Sequence, residues 1–219
     1  MEINLSNKKL SRFMLTKVPA RANFLDKLKI AYRPYICPFG ELLEMLPAQA
    51  AVFDIGCGSG MFLSLVAEFK DPRLLGGIEI SQSLIDNAFS LLDNTNQNES
   101  PFLHVFDGLI LPHEIYRFDY IFLIDVLHHV PPKNQWKFLQ NIYAGMQPGA
   151  KLILKDINAE NFILSKFNKL HDFIFAGQAG HELAMTEVKN ALEKLGFKII
   201  STQQKRIFFY PHYTLVCKK

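Results

Sequence analysis

The sequence predicts an α/β fold: a seven-stranded, mostly parallel, doubly wound sheet with helices on both faces. Three observations lead there. Short apolar β-rich runs alternate with helical patterns from Ala51 to the end of the chain. The run "FDYIFLID" is apolar on both faces, as a central parallel strand is. A glycine-rich turn, "GCGSG", joins the first of these strands to the helix after it.

Each element follows from its residues. "AVFDI" reads as a buried strand and "MFLSLVAEF" as the helix after it. "RLLGGIEI" is a second strand, and "SQSLIDNAFSLL" is a helix with Ser81 placed to cap it. After the polar loop "NTNQNES" come a third strand, "PFLHVFD", and the fourth, "FDYIFLID". "NQWKFLQNIYAGM" is a helix stopped by "QPG", and "AKLILKD" is the fifth strand. "MTEVKNALEKLGF" is a helix with Gly196 at its C-cap. "KIISTQQ" and "YTLVCKK" are the last two strands. Two segments lie outside the alternation. Residues 1–46 read as an N-terminal helical cap or lid, and residues near 157–180 as a helical insert. The whole reads as a single domain over residues 1–219, with the core in 47–219.

Hydrophobic residues make up 49% and charged residues 21%, which suits a globular chain with an ample core. Cys37, Cys57 and Cys217 are odd in number and far apart, which points to reduced thiols and a cytoplasmic setting. "MEINLSNKKLSRF" lacks a signal-peptide core, and no apolar run reaches the roughly 20 residues of a membrane helix. The net charge of +3 is uneven. Residues 1–33 carry eight Lys and Arg against Glu2 and Asp26, so the rest of the chain is net negative. Such a segment is either a solvated helix pair or a surface for phosphate groups.

The glycine turn raises the question of cofactor class, and the rest of the chain decides it. A dinucleotide site takes G-x-G-x-x-G, with the pyrophosphate against the turn. Counted from Gly56 the third position is Met61, and from Gly58 it is Leu63, which argues against a nicotinamide cofactor. Glu79 ends the second strand, 19 residues after Gly60, where a carboxylate can accept hydrogen bonds from ribose hydroxyls.

The pattern D-x-G-x-G-x-G in "DIGCGSG" resembles the first motif of class I S-adenosylmethionine (SAM) dependent methyltransferases of the small-molecule type. "VFDG", "FDYIFLIDVLHHVPP" and "MQPGAKLILKD" resemble later segments of that family, in its order. The resemblance covers Ala51 to Asp156 and implies SAM as cofactor and a Rossmann-like core. It implies that Asp54, Gly56, Cys57, Gly58 and Gly60 form the turn facing the methionine part of SAM. Backbone groups of Gly56 and Cys57 would hold that part, with Asp54 fixing the loop. It places Glu79 and Ile80 at the ribose, Asp107 and Gly108 near the adenine, and Asp125 after the fourth strand.

His128 and His129 follow the fourth strand and Asp156 ends the fifth, so a His base with a nearby carboxylate is the expected catalytic group, His129 first. A turn-capping role for the His pair stands beside that reading. His171, His181 and His212 are too scattered for a metal site. The acceptor is expected to be a small, apolar or amphipathic, lipid-like molecule. This rests on the aromatic-rich N-terminal helices and insert, where Phe162, Ile163, Phe167, Leu170, Phe173 and Ile174 share a helical face. Arg206, Tyr210 and His212 are expected near the same mouth. The basic N-terminus leaves peripheral membrane contact and an RNA acceptor as alternatives, although the fourth-strand tetrapeptide that serves base amino groups is missing. A SAM-binding protein without turnover is the third reading. The sequence is silent on oligomeric state.

Overall fold

A computed structural model describes residues 5–17, 24–93, 99–159, 181–207 and 210–219. The chain runs α1 (Asn7–Thr16), α2 (Phe24–Ile36), α3 (Phe39–Glu44), β1 (Ala51–Ile55), α4 (Met61–Lys70), β2 (Leu74–Glu79) and α5 (Gln82–Leu92). It continues through β3 (Phe102–Val105), β4 (Tyr120–Ile124), α6 (Pro132–Gly145), β5 (Lys151–Ile157), α7 (Met185–Leu195), β6 (Lys198–Ile207) and β7 (Tyr210–Lys218). The expected insert near 157–180 lies outside the described residues from 160 onward, and its apolar face lies wholly there.

One seven-stranded sheet has the order β3-β2-β1-β4-β5-β7-β6. β1 to β5 pair in parallel, and β7 runs antiparallel to both β5 and β6. The order reverses direction at β1, so the crevice outside the carboxyl ends of β1 and β4 is where an open α/β sheet binds ligands.

Sequence chemistry explains the elements. Gly76 and Gly77 sit inside β2 because a Cβ on Gly76 would lie 2.5 Å from Phe118 and 2.7 Å from Phe53. Pro132 starts α6, where its missing N–H costs nothing. Gly196 ends α7 with φ +104, and its N–H returns to the carbonyls of Leu192 and Glu193. Pro38 separates α2 from α3. Ser81 occupies the N-cap position of α5, but its hydroxyl meets Ser83 Oγ at 3.0 Å and makes no cap bond, unlike the expectation.

Two buried layers sandwich the sheet. Phe53, Phe118, Phe138, Val188 and Tyr213 belong to the layer under α6 and α7. Leu10, Leu42, Leu63, Phe122 and Ile153 belong to the layer under α1, α3 and α4. Fully burying each such side chain is worth about 1.5–3 kcal/mol. α1 and α3 of the expected N-terminal cap contribute residues to this core. The outer face of α1 exposes Lys8, Lys9 and Arg12.

Candidate functional site

At the end of β1 the chain turns through Gly56, Gly58 and Gly60, all left-handed at φ +74, +54 and +76. The three do different jobs. A Cβ on Gly56 would lie 2.5 Å from Val126, and one on Gly60 would lie 2.9 Å from Ala88. A Cβ on Gly58 would meet nothing within 4 Å, so the backbone there borders open space. Gly56 and Gly60 allow packing, and Gly58 leaves room for a ligand.

The N–H groups of Gly56 and Cys57 donate to the Ile78 carbonyl at 2.7 and 3.0 Å. These two donors are thus used to join the turn to β2, which leaves the expected contact with the methionine part to the carbonyl side of the turn. The turn is also tied to Glu79, whose Oε2 accepts from Gly58 N at 3.1 Å. Its Oε1 accepts from the N–H groups of Ile80 and Ser81 at 2.8 and 3.3 Å. A carboxylate has about four lone-pair sites, so Glu79 is held rigidly with acceptor capacity left.

Asp54 does not fix the loop through Oδ1, which is buried with no hydrogen-bond partner among the described residues. Burial, then the nearby Glu79 carboxylate, pushes its acid well above the usual carboxylate range. Asp107 is exposed, and its Oδ1 accepts from Leu109 and Ile110 N–H at 2.8 and 2.6 Å, closing a turn. Those bonds hold its acid below the ordinary value. A Cβ on Gly108 (φ +86) would lie 3.6 Å from Ile80, whose side chain is exposed.

Across the crevice, Asp125 follows β4 in a left-handed conformation, φ +55. Its Oδ1 takes a hydrogen bond from Lys155 Nζ at 2.5 Å, and its Oδ2 one from Arg33 Nη2 at 3.2 Å. Its N–H donates to the Lys155 carbonyl at 2.9 Å. Burial would raise the Asp125 acid, but Lys155 and Arg33 outweigh it and hold the group far below the usual range. His212 lies in the same field. Burial, then Lys155, lowers it to about 4, so its ring is neutral at pH 7.

The expected catalytic residues divide by burial. His128 and Asp156 are buried, with His128 Nδ1 2.5 Å from Asp156 Oδ1. Asp156 also accepts from the N–H groups of Ile157 and His128 at 2.7 and 3.2 Å. His129 is exposed, and its ring centroid lies 4.0 Å from that of His128. Successive β5 residues point to opposite faces. Asp156 alternates with Leu152 and Leu154 on the α6/α7 side, and Lys155 with Ile153 on the side of the N-terminal helices.

Sequence reasoning missed Arg33, Lys155 and Tyr213. Lys155 carried a readable signal: a lysine within a strand apolar on both faces needs a buried partner. The Tyr213 hydroxyl is buried without a hydrogen-bond partner among the described residues, and burial, then Asp156, pushes its acid up. Among the described residues no three His, Cys, Asp or Glu gather as a metal site. No described helix is long and apolar enough to cross a membrane.

A mostly parallel sheet with a glycine turn after β1, an acid ending β2 and a ligand crevice at the switch point defines a nucleotide-cofactor α/β protein. The family profile described as "Methyltransferase domain" matches residues 30–202, so the chain belongs to that family, the class I SAM-dependent methyltransferases. Among its relatives is the ubiquinone biosynthesis O-methyltransferase of Coxiella burnetii, 33% identical over 107 residues, 49% of this chain and 43% of the relative. The 27-O-demethylrifamycin SV methyltransferase of Amycolatopsis mediterranei is 28% identical over 118 residues, 53% of this chain and 42% of the relative. The chain thus matches less than half the length of either curated relative. Magnesium protoporphyrin IX methyltransferase of Synechocystis PCC 6803, solved with bound S-adenosylhomocysteine (SAH), shares the fold at TM-score 0.69 and 19% identity. That likeness covers 99% of this chain and 95% of the other.

The residues present fit SAM. Gly58 borders open space, Glu79 keeps acceptor capacity of the kind ribose hydroxyls would use, and the orphaned Asp54 Oδ1 suits a cationic donor such as an ammonium.

Proposed function

We propose that this chain moves a methyl group from SAM to a hydroxyl of a small, apolar or amphipathic acceptor. The observation that carries this reading is Glu79, locked by three backbone N–H groups beside the open space at Gly58. Bound there, SAM supplies a methyl group already activated by its sulfonium. The chain's own task is to orient the acceptor and exclude water, which can lower a barrier by about 7–11 kcal/mol.

His129 is the exposed member of the His pair and takes the proton from the acceptor hydroxyl, a role worth about 10²–10⁴-fold. His128 and Asp156 are buried and act as positioning residues behind it. The two relatives named for O-methylation support an oxygen acceptor. An amphipathic acceptor is supported by Leu28, Tyr32 and Tyr35, exposed at helical spacing on α2. Lys8, Lys9 and Arg12 on α1 add the charge that an anionic lipid surface would meet.

Calorimetry with SAH and with NADH is the first test. SAH is expected to bind at about micromolar affinity, and NADH not to bind. Glu79→Ala is expected to weaken SAH about 10–100-fold, the loss of one or two charge-assisted hydrogen bonds. Unchanged affinity would remove the ribose assignment. Labelled SAM offered with a lipid extract or with tRNA then separates the acceptor classes: label in tRNA would overturn the small-molecule reading.

A further inference from the structure

Lys155 is a buried cation with no role in the proposed methyl transfer so far. It lies in the middle layer of the sheet, fully buried, on the face otherwise lined by Ile153 and Phe122. A lysine is kept in such a place only where a carboxylate meets it. Asp125 meets it twice, through its side chain and through its N–H to the Lys155 carbonyl. Arg33 of α2 closes on the other carboxylate oxygen across 92 positions of sequence.

This corner touches the donor site. Val126, the next residue, is the side chain that a Cβ on Gly56 would strike. Asp125 itself carries a positive φ that few residues other than glycine adopt. Strain of that kind persists where the surroundings over-determine it.

We propose that Lys155 is a positioning residue of the methyl-transfer centre, acting through Asp125: it holds that carboxylate ionised and in its left-handed turn against the glycine loop, while Arg33 ties α2 to the same group. The inference rests on the SAM reading for its location and on the ion pairs for its physics. The groups facing Asp125 are Lys155 on β5, Arg33 on α2 and His212 on β7, with Cys37 and Asp54 within the same field. Burial lowers His212 to about 4 and holds the Cys37 thiol up at about 11, so neither titrates between pH 5 and 8. Asp125 has its folded pKa below its unfolded value. Its contribution is therefore present above the unfolded value, about 3.9, and is lost only as pH falls further toward the folded one.

SAH affinity measured by calorimetry from pH 5 to 8 tests this. Wild type is expected to show no acid limb from Asp125. Lys155→Met is expected to weaken binding and to bring an acid limb into this range, falling by up to about tenfold per pH unit. In Lys155→Met/Asp125→Asn that limb should vanish, because the titrating group is gone. A Lys155→Met protein with wild-type affinity and profile overturns the proposal, as does a limb that survives in the double variant. Should Lys155→Met fail to fold, Arg33→Gln, on the more exposed partner, is expected to show a weaker limb, and a flat wild-type profile there overturns the proposal. If wild type does not bind SAH at all, the SAM reading fails. The pair is then read from ligand-free urea unfolding at pH 7. There the double variant should lose less than the sum of the single losses, and simple additivity overturns the proposal.

Discussion

The glycine turn and the Asp125 corner abut one another across the switch point of the sheet, yet they are held by different means. The turn is fixed by main chain: N–H groups of Gly56 and Cys57 on the Ile78 carbonyl, and of Gly58, Ile80 and Ser81 on one carboxylate. The corner is fixed by side-chain charges drawn from α2, β4 and β5. Behind it, on the opposite face, Asp156 and His128 form a second buried pair. Changes on the open donor side of the turn, at Glu79 and Gly58, should therefore alter cofactor binding more than folding, and changes at the buried Asp156 and His128 should alter folding first.

The largest expected effect is at the second buried pair. Asp156→Ala removes the acceptor for His128 Nδ1 and for two backbone N–H groups, all buried. Each stranded donor costs about 1–3 kcal/mol, so unfolding in urea should show a loss of about 3–5 kcal/mol. A loss under about 1 kcal/mol would mean that the pair does not hold this half together.

Next come the glycines, which set the two halves against each other within one turn. Gly56→Ala forces a contact at 2.5 Å with Val126 as well as a positive φ, and is expected to cost about 2–3 kcal/mol or more of stability. Gly58→Ala carries only the φ strain, about 1 kcal/mol, because its Cβ enters open space. Under the proposed reading that space is the cofactor's, so Gly58→Ala should fold and lose SAH affinity. The two variants compared by thermal melting and calorimetry should thus rank in opposite orders relative to their stability losses. Equal melting temperatures would show that the Val126 contact yields easily and that the turn is looser than its packing implies.

The same contrast explains what was legible beforehand. Most strands were readable as short apolar runs, although β6 is largely polar and exposed, and the donor motif because "DIGCGSG" and Glu79 lie within 26 residues of one another. Asp125 was readable by its place after the fourth strand, but not its partners. Arg33 and Lys155 reach it from sequence positions on either side, and only the pairing of β4 with β5 brings Lys155 alongside. His128 and His129 are adjacent in sequence. Which one is buried depends on how the short helical turn Leu127–His129 presents them, a rotation that composition does not encode. The occupied N–H groups of Gly56 and Cys57 were hidden for a similar reason: the Ile78 carbonyl that takes them belongs to the neighbouring strand.

Ser81 gives the smallest effect and the finest discrimination. A serine before an apolar helical run is expected to cap it, and replacing such a cap by alanine typically costs about 1 kcal/mol. Here the hydroxyl meets Ser83 Oγ, while the Ser81 N–H donates to Glu79. Ser81→Ala keeps that N–H and loses only an exposed bond between two hydroxyls. Urea unfolding should therefore register less than about 0.5 kcal/mol, the range of ordinary surface substitutions. SAH affinity should be unchanged, since the Glu79 carboxylate keeps all three backbone donors. A loss near 1 kcal/mol would instead mean that the hydroxyl turns to cap α5 in solution. The entrance to α5 would then be set by a side chain as well, and the donor side would be less purely a main-chain construction than its hydrogen bonds indicate.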